Sequence, residues 1–239
     1  MSQTLVAMYD DFADARRAVE SLVSAGFSRD KISVAASDVD QQHSRFLTSH
    51  DRVGGADGDV EASEGAGFGA VVGTLVGLGT ALIPGIGPVL AGGGALGWAA
   101  LSAGIGAAAG ALTGGIVASL VDLGIPQEEA HTYLEGIRRG GTMVVVQVDS
   151  ETEANRAENV LNQHRPFDID HRREHYKATG WSGYNENAPT YSGEQVRSEQ
   201  ERWRTGSPKH SETELPVGQN LANTSGVGMG TRTYPRIER

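Results

Sequence analysis

Cysteine is absent from this chain of 239 residues, which excludes a disulfide framework, a thiolate nucleophile and any cysteine-based metal site. Cations are also scarce: 20 Lys and Arg stand against 30 Asp and Glu, a net charge of −10. Binding to nucleic acid rests on clustered Lys and Arg, so a general nucleic-acid partner is not expected. The opening MSQTLVAMYDD has neither a basic stretch nor an apolar core, so no secretory signal is expected and the chain reads as not secreted. The third shortage is local. Between Glu64 and Asp122, from Gly65 to Val121, no side chain carries a charge. A soluble surface helix needs a polar face. This stretch has none, so protein or lipid must cover it on nearly all sides.

What the chain does have begins with a strand–helix–strand unit over residues 1–37. Leu5 to Tyr9 is a short apolar run, read as a strand. Asp10 or Asp11 can cap the next helix, with Asp14 in its first turn. Phe12, Ala15, Val19, Leu22 and Val23 recur at helical spacing, Gly26 supplies the stop, and Ile32 to Ala35 form the second strand. The pattern recurs at one constant offset: Asp10, Ala15, Arg17, Ala18 and Leu22 correspond to Asp149, Ala154, Arg156, Ala157 and Leu161. The strand before this second copy, Thr142 to Val148, is apolar and strongly β-branched. Pro166 breaks the chain after its helix, and Asp168 to Arg172 are expected as a polar edge strand. Two βαβ halves predict an α+β, ferredoxin-like domain with a four-stranded antiparallel sheet.

Glycine is abundant, at 33 residues, and concentrated between the halves. Residues 38–64 form a polar linker rich in Asp, Gly and Ser. Residues 65–122 are expected as a glycine-zipper helical hairpin whose turn is Pro84, Gly85, Gly87 and Pro88. Along the arms, Gly65, Gly69, Gly73 and Gly77 recur every four residues, as do Ser102, Gly106, Gly110, Gly114 and Ala118. Small residues at this spacing line one helix face and let backbones approach closely, the mode of packing used between membrane helices. They are the candidate helix-packing and oligomerisation residues. Residues 123–174 comprise an amphipathic helix, opening at Pro126-Gln127-Glu128-Glu129, and the second βαβ half. Residues 175–239 hold few aliphatic side chains and read as a disordered tail, with a short amphipathic helix available around Ser192 to Arg204.

The stretches IPGIGPVLAGG and LGIPQEEAHTYLEGIRRGGTMVVVQV, in that order, resemble the general stress protein 17M-like group. That group includes bacterial proteins labelled heat-induced or low-temperature-induced. The resemblance covers about residues 4 to 173. The tail segment GWSGYNENAPTYSGEQVRSEQERWR is similar to a motif in some of these stress proteins. The resemblance implies a stress role without assigned catalysis, and it brings no active-site residues.

Sharper chemical readings fall to plainer ones. His171, Glu174 and His175 have the H-x-x-E-H spacing of a zinc-peptidase class, which works only on a helix. On an edge strand, beside Arg172 and Arg173, they read as surface residues. GAGFGA (residues 65–70) has dinucleotide-loop spacing, but a polar linker precedes it and no acid follows until Asp122. The tail aromatics Tyr176, Trp181, Tyr184, Tyr191 and Trp203 lie among dispersed, balanced charges, which suits a disordered linker or a protein-docking segment better than nucleic acid. The expected protein is therefore a non-enzymatic stress protein with no catalytic, cofactor-binding or metal-binding residues and no cofactor. Its expected partners are itself, the lipid bilayer, and an unidentified protein for the tail. It is expected at the inner membrane with its domain in the cytoplasm, or wholly cytoplasmic. A soluble homo-oligomer with hairpins forming a shared helical core is the alternative, and a pore is a third reading.

Overall fold

The computed structural model describes residues 2–37, 39, 79–83, 87–93, 117–185, 187–206 and 230–236. Six strands and five longer helices are assigned there, besides a 3-10 turn (Arg29–Lys31) and a helical turn at 117–122: β1 (Gln3–Tyr9), α1 (Phe12–Ser24), β2 (Ile32–Ser37), β3 (Gly79–Ile83), β4 (Gly87–Gly93), α2 (Gln127–Arg138), β5 (Thr142–Val148), α3 (Glu151–Gln163), α4 (Ile169–Ala178), α5 (Gly193–Gly206) and β6 (Thr231–Pro235). The strands form one sheet in the order β3-β4-β2-β5-β1-β6, antiparallel at every neighbour. The fold is α+β. Its inner order β2-β5-β1-β6 is compatible with the expected ferredoxin-like arrangement of two interlocked halves.

Both sheet faces are apolar, because successive side chains of a strand point to opposite sides. Leu5, Ala7 and Tyr9 of β1, with Val144, Val146 and Val148 of β5, face α1 and α3. Val6, Met8, Met143 and Val145 face the other way, onto Tyr133, Leu134 and Ile137 of α2. The central strands are therefore buried on both sides, and their continuous apolar runs follow from that. The repeat noticed in the sequence lies side by side in space: Ala15, Ala18 and Leu22 of α1 share one cluster with Ala154, Ala157 and Leu161 of α3. Small residues at the equivalent positions let both helices sit close on the sheet. Asp11 caps α1 by accepting from the Asp14 N–H, and Ser150 caps α3 by accepting from that of Glu153.

Three expectations are corrected. Gly79–Ile83 and Gly87–Gly93 are not helical arms but a β-hairpin, and β4 pairs with β2 from Val89↔Ser37 to Gly93↔Ser33. Gly87 and Pro88 thus belong to a strand instead of a helical turn. Pro88 is the second residue of β4, opposite Leu82 of β3, and pairing with β2 starts one residue later, at Val89. Short apolar runs bounded by Gly and Pro suit either structure, and the open edge of β2 decides for the strand.

The second correction concerns Asp168 to Arg172, which is not an edge strand. Asp168 accepts from the N–H groups of Asp170 and His171, capping α4. The strand that does flank β1 is β6, from within the supposedly disordered tail. This is the third correction: α5 and β6, with the end of α4, are ordered parts of the domain. Residues 38, 40–78, 84–86, 94–116 and 207–229 lie outside the described residues, with most of the linker, the zipper arms and much of the tail.

Candidate functional site

The densest concentration of buried charge lies where the tail crosses the second face. It begins at the end of α2, in the run Glu135-Gly136-Ile137-Arg138-Arg139-Gly140-Gly141. Glu135 meets Arg138 and Arg139 at the i+3 and i+4 spacings that a helix brings together. Arg139 Nε donates to Glu135 Oε1 at 2.7 Å, and Arg138 Nη1 reaches both carboxylate oxygens at 3.1 and 3.2 Å. Glu135 is only 3% exposed. Losing one partner of such a buried pair costs about 3–5 kcal/mol, because the remaining charge is left uncompensated.

Helix α4 contributes Arg172, His175 and Tyr176. Arg172 Nη2 donates to Asp10 Oδ1 at 2.6 Å, and its guanidinium lies over the rings of Phe167 and Trp203. Burial raises the Asp10 carboxyl above the usual aspartate range, against the opposing pull of Arg172. His175 lies edge-on to Trp203, with centroids 4.9 Å apart. Burial lowers its imidazole pKa; Glu199 opposes this, and Arg139, Arg202 and Arg172 add to it.

Helix α5 lies across these groups. Ser192 and Gln195 form a reciprocal capping box, each side chain accepting the other's backbone N–H. One face of the helix then carries Val196, Glu199, Gln200 and Trp203. Val196 is seated where a Cβ on Gly140 would come within 2.3 Å of its Cγ1; Gly140 also has φ +96, a left-handed backbone that glycine adopts without strain. Glu199 accepts from Arg139 Nη1 at 3.2 Å. Gln200 Nε2 donates to the carbonyls of Asp10 and Gly140, both at 3.0 Å. Before the helix, Arg138 Nη2 donates to the Pro189 carbonyl, and Tyr191 lies on the same guanidinium at 4.4 Å.

The cleft left at this seam measures about 10 Å³, room for a single water. Its carboxylates are engaged by arginines, so the chemistry on offer is docking of one helix by charge, amide and aromatic contacts. Sequence reasoning named Tyr176, Tyr191 and Trp203 as tail aromatics and missed Glu135, Arg139, Arg172 and Glu199. The i, i+4 pair was visible in the letters; its partner on a later helix was not.

Among the predicted site residues, Gly65, Gly69, Gly73, Gly77, Ser102, Gly106, Gly110, Gly114, Pro84 and Gly85 lie outside the described residues. Ala118 is on a helical turn, residues 117–122, and is exposed. His171, Glu174 and His175 are on a helix after all, so the edge-strand ground for discounting a metal there does not hold. Both imidazoles instead pack edge-on against Trp203. Among the described residues no group of three or more His, Asp or Glu could hold a metal ion, and no helix is long and apolar enough to cross a membrane.

Comparison with protein families bears on the first part of the fold. Residues 4–83 match the heat induced stress protein YflT domain. The YflT match supports the bacterial stress-protein resemblance over β1, α1, β2 and β3, and ends with the last residue of β3. It spans well under half of the chain; the second of the two motifs that carried the resemblance, and the α5 seam, lie beyond it. Comparisons with curated proteins and with solved structures found no match.

Proposed function

We propose that the chain is a non-enzymatic general stress protein of the cytoplasm that self-associates through its charge-free, small-residue segment, with the α+β domain as the rigid carrier. The YflT match supports the stress role. The observation that carries self-association is the uncharged run from Gly65 to Val121, with small residues at every fourth position in its two outer parts, Gly65 to Gly77 and Ser102 to Ala118. Pairing of β3 and β4 with the sheet favours protein over lipid as its cover. It draws residues 79–83 and 87–93 into the domain, so the expected hairpin of two spanning arms is lost: the stretch 65–78 falls short of the ~20 residues of a spanning helix, and only 94–121 keeps that length.

Light scattering on the detergent-free protein tests this reading. A discrete oligomer is expected, shifting toward monomer when Gly69, Gly73, Gly106 and Gly110 are replaced by Leu. A monomer at micromolar concentration overturns it. Retention in carbonate-washed membranes, lost on deleting residues 94–116, would instead establish the bilayer as the segment's partner.

A further inference from the structure

We propose that α5 is an acid-released strap, held closed by a neutral His175 and let go when His175 Nε2 takes up a proton from solvent. The geometry that carries this is a hydrogen bond of fixed direction. Arg202 Nη1 lies 3.3 Å from His175 Nε2. A guanidinium has donors only, so Nε2 must accept, which requires an imidazole with its one proton on Nδ1. A second proton, on Nε2, leaves two donors facing each other. The Trp203 ring, 4.9 Å away between centroids, covers part of the imidazole and limits the hydration of the new charge. Charged groups reach His175 from each element at the seam. Arg139 of α2, Arg172 of α4 and Arg202 of α5 oppose a further cation, while Glu199 of α5 favours it, with Oε1 3.6 Å from Nε2. That carboxylate is already engaged by Arg139 at 3.2 Å and by Arg202 at 3.3 Å. Asp10 at the β1–α1 turn and Glu135 of α2 are occupied by Arg172 and Arg139.

The strap is built to open by itself. Val196 and Trp203 are the buried apolar side chains of α5, and a helix of this length is marginal in water without its seat. Neither hydrophobic cluster of the domain includes a residue of α5, so both cores remain when it lifts. Among the described residues, the buried N–H groups at Trp203 Nε1 and Arg138 Nε find no hydrogen-bond partner. Water satisfies such groups once the strap opens, which lowers the cost of opening. Burial is the largest of the causes that hold His175 below its ordinary value, and opening relieves it. The open state therefore binds more protons as pH falls through about 6.5, and its population grows. What acid uncovers is a cationic and aromatic face, Arg139, Arg172 and Phe167, over which Glu199 and Trp203 lie at neutral pH. The glycine-rich segment contributes nothing to the seam's described contacts, so the strap stands or falls apart from self-association.

Two measurements on the full-length chain test it. Hydrogen exchange is compared at about pH 7.5 and 5.5 as protection factors, which removes the chemical pH dependence of exchange itself. Protection across residues 193–206 should fall at least ~3-fold more than that of β1 and β5. His175→Gln, whose Oε1 can accept from Arg202 but takes no proton, should abolish that difference. The second measurement uses reciprocity: if the proton opens the strap, a chain without a seated strap binds the proton more tightly. The imidazole is titrated by NMR in wild type and in Val196→Pro/Trp203→Ala, in which α5 can neither form nor seat. Its resonance is assigned by its loss in His175→Gln. The midpoint should rise toward about 6.5 in the strap-broken variant. Equal midpoints, a lower midpoint in that variant, α5 protection that follows the sheet at both pH values, or a difference that survives His175→Gln would overturn the proposal and leave α5 a pH-indifferent support.

Discussion

The guanidinium carbon of Arg172 lies 3.8 Å from the centroid of the Trp203 ring and 4.1 Å from that of Phe167. A cation held against aromatic faces away from water gains about 2 kcal/mol or more from each good contact. Trp203 is also nine-tenths buried, although it comes from a tail with few aliphatic residues. Trp203→Ala should therefore release α5 while leaving the sheet intact. Hydrogen exchange checks this: amides of residues 193–206 lose protection, and those of β1 and β5 keep theirs. Trp203→Phe should retain part of the protection, and a uniform loss across the domain would contradict a local role.

Two glycines that end helices separate backbone strain from docking. Gly26 (φ +89) and Gly140 (φ +96) both adopt the left-handed conformation, but a Cβ on Gly26 would meet nothing within 4 Å. Alanine at position 26 then costs only the conformational penalty, about 1–2 kcal/mol. At position 140 the same penalty applies, and the new methyl group also displaces Val196. Chemical denaturation should rank Gly140→Ala as the more destabilising of the two. Only Gly140→Ala should raise exchange in α5.

The first half of the fold was legible because its signals are local. Asp11, Gly26 and the spacing of Phe12, Ala15, Val19 and Leu22 define α1 without reference to anything distant. The Ala15/Ala154 repeat paired two helices that do share one cluster. Legibility failed where structure depends on a remote partner. The Gly87–Gly93 run is a strand on the open edge of β2, and Gly79–Ile83 pairs with it in turn; no helical periodicity in the glycines encodes that edge. Residues 168–172 read as a strand until Asp168 is recognised as a cap. The strand beside β1 was hidden in a polar tail, since Thr231 to Pro235 is only five residues with one large apolar group. The docking seam was hidden for a similar reason: Glu135, Arg139 and Glu199 look like ordinary surface charges, and they are buried together only in the assembled fold.

That one large group, Tyr234, anchors β6. Its hydroxyl donates to Glu129 and lies 2.7 Å from the Tyr133 hydroxyl. Burial drives the pKa of both phenols upward, so each stays protonated throughout the working range. Tyr234→Phe leaves Tyr133 and Glu129 short of a partner and should cost about 1–3 kcal/mol. The urea midpoint should fall with an unchanged slope, because the same surface is exposed on unfolding. Ending the chain at Met229 removes the strand altogether and bares the outer edge of β1. That variant should lose more stability and aggregate at concentrations where Tyr234→Phe remains soluble.

Two histidines set a pH dependence whose sign is fixed by their surroundings. His175 is lowered chiefly by burial at the α5 seam; Glu199 opposes this, and Arg139, Arg202 and Arg172 add to it. His164 is lowered by burial and by Arg17, against Asp14 and Glu20, while its Nε2 lies 2.9 Å from Ser21 Oγ between α1 and α3. In the unfolded chain both imidazoles take up protons near pH 6.5. In the folded chain they do so only at lower pH, so between the two values the unfolded state binds more protons. Their contribution is therefore complete above about pH 7.5. It falls as pH drops through 6.5, and levels off once pH is below the folded values. Unfolding free energies measured between pH 8 and 5.5 should decline, and the slope should be shallower in His164→Asn and His175→Asn. In His175→Asn the decline should also weaken in the exchange of α5 amides, because this imidazole, unlike that of His164, faces the seam. A slope of the opposite sign, or one unchanged in both variants, would show that neither histidine is held neutral by the fold.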